Sequence, residues 1–277
     1  MSSKMVKQHT LVAVKGAGDL ATGVIHRLVR SGFAVMATEL AQPTALRRTV
    51  AFAEAVTLGQ MRVEDMTAQL VSSPEDIPAA IANGLVPIVV DPDGTILKQM
   101  HPTVLVEATL SKYNSGVSMQ DASIVIALGP GYEAGKDVQA VIETNRGHNL
   151  GRVYLSGFAE PNTGVPGTIG GYASERLLRA PCAGVLYEVR QIGDHVEVGE
   201  TVAVVREMEE TSEIRPVLAA ISGILRGLVR DGLPVSVGMK VGDIDPRAVR
   251  EHCFTISDKS RAVAGGVLEA MLYLLSQ

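Results

Sequence analysis

Apolar and polar positions alternate between two periods along this chain. The run Leu11-Val12-Ala13-Val14 is continuous and apolar, and predicts a buried strand. After Lys15-Gly16-Ala17-Gly18-Asp19-Leu20-Ala21-Thr22-Gly23, apolar residues recur at helical spacing through Val24, Ile25, Leu28 and Val29. The order predicted is strand, glycine turn, helix. A second apolar run, residues 33–38, predicts a strand ending in Glu39. Pro43-Thr44-Ala45-Leu46-Arg47-Arg48 predicts the start of a helix carrying two cations. Further strands are predicted at residues 87–90, 104–108 and 123–128, continuous rather than alternating, as suits strands buried on both faces. A helical tail is predicted over residues 262–275.

The glycine turn has the pattern G-x-G-x-x-A, with Ala21 in the third position. Gly16 permits a sharp turn. Gly18 has no Cβ, so a pyrophosphate can approach the backbone, and the first N–H groups of the helix, near Asp19, Thr22 and Gly23, favour an anion. Glu39 follows about 20 residues on, where an acid suits a ribose diol. A nucleotide or dinucleotide, NAD(P) among them, is therefore the expected ligand. The blander alternative is a turn that only permits close packing.

In open α/β sheets the ligand crevice lies beyond the carboxyl ends of the strands. Lys112 and Asn114 follow one predicted strand, and Gly129 and Gly131 follow the next, so both loops are placed with Gly18 and Glu39. Arg47 is a candidate for a phosphate or carboxylate, with a solvated helix face as the alternative. His148, in the polar stretch Arg146-Gly147-His148-Asn149-Leu150-Gly151, is a further candidate: of six His, it alone stands in a glycine-punctuated polar loop. No H-x-x-x-H or H-E-x-x-H spacing occurs, so no metal site is expected.

Residues 157–171 are rich in Gly and Pro and read as a long irregular linker or a lid. Beyond it lies an internal repeat. Gly184, Gly193 and Gly199 recur 39 positions later as Gly223, Gly232 and Gly238, with Val185-Leu186 echoed by Ile224-Leu225. Each copy reads as strand, turn, short strand, turn, strand. The pair resembles the lipoyl/biotinyl-carrier fold. The hairpin between the copies, residues 206–215, has no Lys, so covalent lipoylation or biotinylation is not expected.

Composition narrows the classes. A net charge of −5 gives no electrostatic reason to expect nucleic acid, and the absence of Trp weighs against a base-stacking surface. Cys182 and Cys253 are far apart and cannot hold an iron–sulfur cluster through four thiolates; a reducing cytoplasm fits them. Residues 1–8 are polar and basic without an apolar core, so no signal peptide is expected, and no apolar run reaches membrane-spanning length. No G-x-S-x-G elbow or P-loop occurs.

Taken together, the Gly16–Gly23 turn, Glu39 with residues 43–48, Gly129-Pro130-Gly131-Tyr132, residues 146–151 and Gly242-Asp243-Ile244-Asp245-Pro246-Arg247 resemble the selenium-dependent molybdenum hydroxylase accessory family, YqeB-like, over nearly the whole chain. Part of it is similar to the xanthine/carbon-monoxide dehydrogenase maturation factors. The resemblance implies an accessory factor for a molybdenum hydroxylase, with that enzyme or its cofactor machinery as partner and a molybdopterin dinucleotide as the alternative cofactor to NAD(P), and carries over no catalytic residues. The expected fold is α/β: a Rossmann-like parallel-sheet domain over residues 1–156, a connection over 157–178, a lipoyl/biotinyl-like barrel-sandwich over 179–250, and a C-terminal helix over 251–277. An NAD-dependent oxidoreductase and a non-catalytic docking scaffold stay open as alternatives, as do catalysis itself and a homo-oligomer.

Overall fold

The computed structural model describes residues 10–207 and 213–277. The polar segment 1–8, and the middle of the hairpin read as lacking Lys, lie outside the described residues. The chain divides into two compact units, and each is discontinuous. The first is Met1–Pro43, Ala51–Asn162 and Ile256–Gln277; the second is Thr44–Val50 and Thr163–Thr255.

The first unit is built on β1 (Leu11–Lys15), α1 (Asp19–Arg30), β2 (Ala34–Glu39), α2 (Ala55–Leu58), β3 (Gln60–Val63), β4 (Met66–Leu70), α3 (Ile77–Ala82), β5 (Val86–Val90), α4 (Thr95–Gln99), β6 (Val104–Glu107), β7 (Ile124–Leu128), β8 (Glu133–Ala134), β9 (Ala140–Ile142), β10 (Val153–Tyr154) and β11 (Gly157–Phe158). Nine of the strands form one sheet in the order β10-β9-β7-β6-β1-β2-β5-β4-β3, and β8 pairs with β11 apart from it. The inner strands are parallel; β3 and β10 run antiparallel at the two edges. Continuous Val, Ile and Leu in β1, β5, β6 and β7 match their burial on both faces.

This unit is covered in an unexpected way. Of its helices before the last, only α1 is long; α2, α3 and α4 span one turn or little more. The remaining long helix, α5 (Asp258–Leu275), comes from the C-terminal end of the chain and packs on α1. A Cβ at Gly23 would lie 2.0 Å from Ser260 Oγ, so glycine is what lets the two helices approach. The second seam of α5 is the stretch read as candidate chemistry. Arg146 grips Asp258 through two bonds of 2.8 Å, and a Cβ at Gly266 would meet Gly151 O at 2.2 Å.

The second unit comprises β12 (Leu177–Arg179), β13 (Gly184–Glu188), β14 (His195–Val196), β15 (Thr201–Arg206), β16 (Ile214–Leu218), β17 (Gly223–Leu228), β18 (Pro234–Val235) and β19 (Lys240–Asp245). They form two antiparallel sheets, β12-β19-β17-β14 and β16-β15-β13-β18. The repeat is physical: β14 of the first copy pairs with β17 of the second, and β18 of the second pairs with β13 of the first. Leu186, Val196, Leu225, Val235 and Ile244 share one core. Residues 44–50 belong to this unit, where Leu46 O accepts the Leu228 N–H at 2.9 Å.

These findings correct the expected fold class. A nine-stranded mixed sheet with antiparallel edges, accompanied by two small antiparallel sheets, replaces a Rossmann-like parallel domain followed by a lipoyl/biotinyl-like barrel. The physical reason lies in the crossovers. Those from β4 to β5, β5 to β6 and β6 to β7 carry only one short helix or none, the sheet ends in antiparallel strands, and α5 comes from the far end of the chain. The helix predicted to start at Pro43 does not form either; a 3₁₀ turn at Arg48–Val50 follows a bend whose Leu46 carbonyl is taken by the Leu228 N–H rather than by a helical partner.

Candidate functional site

The carboxyl ends of β1, β2, β6 and β7 hold the candidate site of the first unit. Gly16 turns the chain at φ +96°, and its N–H donates to Thr38 O. A Cβ there would press on the Ala108 and Thr109 backbone at 3.3 Å, so the turn runs close against the end of β6. Gly18 caps α1 in extended conformation, and a Cβ on it would meet nothing within 4 Å. Asp19 is the first residue of α1. Thr22 is buried: its hydroxyl donates to Gly18 O at 2.9 Å and accepts from the Phe52 N–H at 2.9 Å. That hydroxyl fixes the turn from inside. Gly23 faces α5, as described above.

Glu39 reaches back from the end of β2. One carboxylate oxygen accepts the Ala17 N–H at 2.9 Å and the other the Leu40 N–H at 2.8 Å. An acid at this position thus braces the glycine turn.

Next to the turn stands a polar network that the sequence reading did not assemble. Lys15 and Glu107 are register partners at the ends of adjacent parallel strands. Lys15 Nζ lies 3.2 Å from Glu107 Oε2 and donates to Ser115 Oγ at 3.0 Å. Ser115 Oγ also lies 3.3 Å from Glu107 Oε2 and 2.9 Å from Tyr132 Oη. The other carboxylate oxygen of Glu107 accepts from the Thr109 N–H and hydroxyl. Glu107 and Tyr132 are fully buried, while Ser115 is exposed. Burial pushes the Tyr132 phenol above its usual range; the bond to Ser115 opposes this and the Glu107 charge adds to it. The network therefore presents a cation and a hydroxyl from a fixed base.

The two loops named from the sequence do meet. A Cβ at Gly131 would lie 2.5 Å from Ser111 O, so residues 129–132 and 111–113 pass in close contact. Gly129, at φ +85°, faces the Thr144 hydroxyl. Lys112 and Asn114 are exposed on the same loop as Ser115, and Asn114 accepts the Gly116 N–H at 2.8 Å. His148 is exposed on the loop that docks α5. Arg47 is buried in the second unit, where it donates to the carbonyls of His252 and Thr255. The missed signal was available: Lys15 and Glu107 are charged residues closing fully apolar strands, and a charge there needs a partner.

Among solved structures, the chain is similar to an aspartoacylase family protein from Mesorhizobium loti at 10% identity and TM-score 0.29, covering 86% of this chain and 85% of that one. A succinylglutamate desuccinylase/aspartoacylase from Rhodobacter sphaeroides matches at 11% identity and TM-score 0.27, covering 86% and 85%. The Escherichia coli tRNA threonylcarbamoyladenosine dehydratase TcdA, in complex with AMP, matches at 12% identity and TM-score 0.32, covering 99% and 91%. At these scores none of them fixes the fold or the chemistry of this chain. The expectation of a molybdenum hydroxylase accessory factor is corrected: the comparisons give kinship with a YqeB protein and no such role. No family model matches. The chain is 46% identical over 269 residues to a curated Escherichia coli (strain K12) protein described as "Uncharacterized protein YqeB"; the match takes in 97% of this chain, which spans about half the length of that YqeB relative.

Proposed function

We propose that the first unit binds a small molecule at the carboxyl ends of β1, β2 and β6. An anionic group of the ligand sits at the Gly16–Gly18 turn and the N-terminus of α1, and its polar part faces Lys15 and Ser115. The observation that carries this reading is the network of Lys15, Glu107, Ser115 and Tyr132. Buried Glu107 aims the Lys15 side chain, and exposed Ser115 is held from three sides. The helix start beside it adds N–H donors. Lys15 acts as a point charge toward the anion, and the Ser115 hydroxyl, accepting from Tyr132, turns its own hydrogen from Glu107 to the ligand. We take the ligand to be a nucleotide, because Glu39 on the neighbouring strand end can share its carboxylate with a ribose diol. A cytoplasmic setting is part of the same reading, supported by two free thiols.

Calorimetry of the full chain with AMP, ATP and NAD tests this, using wild type, Lys15→Met and Ser115→Ala. A nucleotide that binds wild type should bind each variant at least tenfold more weakly, about 1.4 kcal/mol, with unchanged circular dichroism. Equal affinity in the folded variants, or no binding of any nucleotide, would sink the reading.

A further inference from the structure

A cavity lies on the other half of α1. Its volume is about 430 Å³, and it is lined by His26, Arg27, Arg30 and Ser31 together with Ile256 and Arg261. Three arginines thus line one cavity in a protein of net charge −5. The turn between β3 and β4 supplies two carboxylates at its side. Arg30 pairs with Asp65 at 3.0 Å and Arg261 with Glu64 at 2.7 Å. Glu64, held at φ +53°, also accepts the Ile256 N–H, and Asp65 accepts from His26 at 2.9 Å. Those acids serve as struts that fix two arginines and the imidazole. Arg27 has a different bond: it donates to the Arg261 carbonyl at 3.3 Å. Counting side chains gives three guanidinium charges against two carboxylates, so the cavity wall is net positive.

Arginine's planar fork matches the oxygens of phosphate, and like charges gathered in one cavity repel unless an anion joins them. From this geometry we propose that the cavity is a binding site for a phosphate group, free or at the end of a small metabolite. A cation is the competing occupant, since His26, Glu64 and Asp65 offer ligand atoms within 4.8 Å of one another. Both carboxylates are already bonded to arginines, however, and a metal ion would have to displace those bonds and sit among three positive groups. The anion is favoured on charge and on geometry.

The proposal does not depend on the strand-end reading, and one experiment separates the two. Calorimetry of the full chain is run with inorganic phosphate, with glycerol 1-phosphate and with zinc chloride, on wild type, Arg27→Gln, Arg27→Lys and Gly18→Val. Phosphate should bind wild type, at least tenfold more weakly in Arg27→Gln, and equally well in Gly18→Val. Arg27→Lys keeps the charge and loses the fork, so it should fall between. Tighter binding of the ester identifies a metabolite as the source; equal binding identifies free phosphate. Arg27 is half-buried at the surface of α1, and circular dichroism checks that its variants fold. Phosphate binding that survives Arg27→Gln but is lost in Gly18→Val would overturn the proposal. So would absence of phosphate binding, or zinc binding in its place.

Discussion

Lys15 and Glu107 face each other in register at the ends of β1 and β6, with Nζ 3.2 Å from Oε2 and no solvent on the carboxylate. Because Glu107 is buried, removing it strands the Lys15 ammonium beside the sheet. Breaking a buried pair from one side costs about 3 kcal/mol or more. Glu107→Ala should lose stability on that scale in urea unfolding, whereas Ser115→Ala, at an exposed position, should lose under about 1 kcal/mol. Equal losses in the two variants would mean that the network is merely structural, with Ser115 as much a part of the fold as Glu107.

Gly23 and Ser260 define the closest approach of α1 and α5. A methyl at Gly23 would overlap the Ser260 hydroxyl, which donates to Asp19 O at 3.0 Å. Overpacking of this kind costs about 1–3 kcal/mol. Gly23→Ala should therefore destabilise the chain by that amount, although alanine is the better helix former. Ser260→Gly in the same chain should return part of the loss. A double-mutant cycle with no coupling would show that the helices separate freely instead.

How far the chain could be read in advance depended on the range of the physics involved. The turn at Gly16, the strand before it and the acid at Glu39 are local, and their order was legible from residues 11–39. The 39-residue repeat was legible because its glycines answer to turns within each copy. What failed was everything set by distant packing. Gly23 was grouped with a ligand-binding turn, yet it accommodates a helix more than 200 residues away. The stretch from Arg146 to Gly151 is polar and glycine-rich for the same reason, since it docks α5 through Arg146–Asp258 and the Gly151–Gly266 contact. Glycine spacing alone does not separate a close helix from a close phosphate. Ser115 stayed hidden because nothing in residues 111–118 shows that Lys15 and Tyr132 lie beside it.

Asp245 gives a prediction in pH. Burial alone would raise its carboxyl, but the side chain and N–H of Arg247, with the charge of Arg226, outweigh that and hold it at about 2, against the ordinary 3.8. A carboxyl lowered on folding contributes stability above its unfolded value and loses it as pH falls toward the folded one. The difference is worth about 2 kcal/mol. Unfolding of the second unit should thus become easier between about pH 4 and pH 2. In Asp245→Asn that slope should shrink, with lower stability at neutral pH. A wild-type profile flat across this window would contradict the assignment.

The last prediction concerns the two copies of the repeat. Gly184 opens β13 and Gly223 opens β17, 39 residues apart. A Cβ at Gly184 would lie 2.1 Å from Arg206 O, and one at Gly223 would lie 2.5 Å from Asp245 O. Both clashes are with carbonyls of the strand that pairs with the glycine's own strand: β15 for Gly184 and β19 for Gly223. Backbone cannot rotate aside as a side chain does, so each alanine must push two paired strands apart. The ladders it would disturb correspond in the two copies, and each lies over the shared core that includes Leu186 and Leu225. Gly184→Ala and Gly223→Ala should therefore destabilise the second unit alike, each by about 1–3 kcal/mol on the scale of forced overpacking. Gly199→Ala serves as the control, because a Cβ there meets nothing within 4 Å and only its φ of +82° is strained. Urea unfolding followed by hydrogen exchange measures all three, reading the amides of β13 and β17 against those of β1 and β6. Loss of protection in β13 and β17 together, in either glycine variant, is the expected result. Loss confined to the mutated copy would mean that the two halves fold separately, and that the exchanged pairing of β14 with β17 and β18 with β13 contributes little to holding them together.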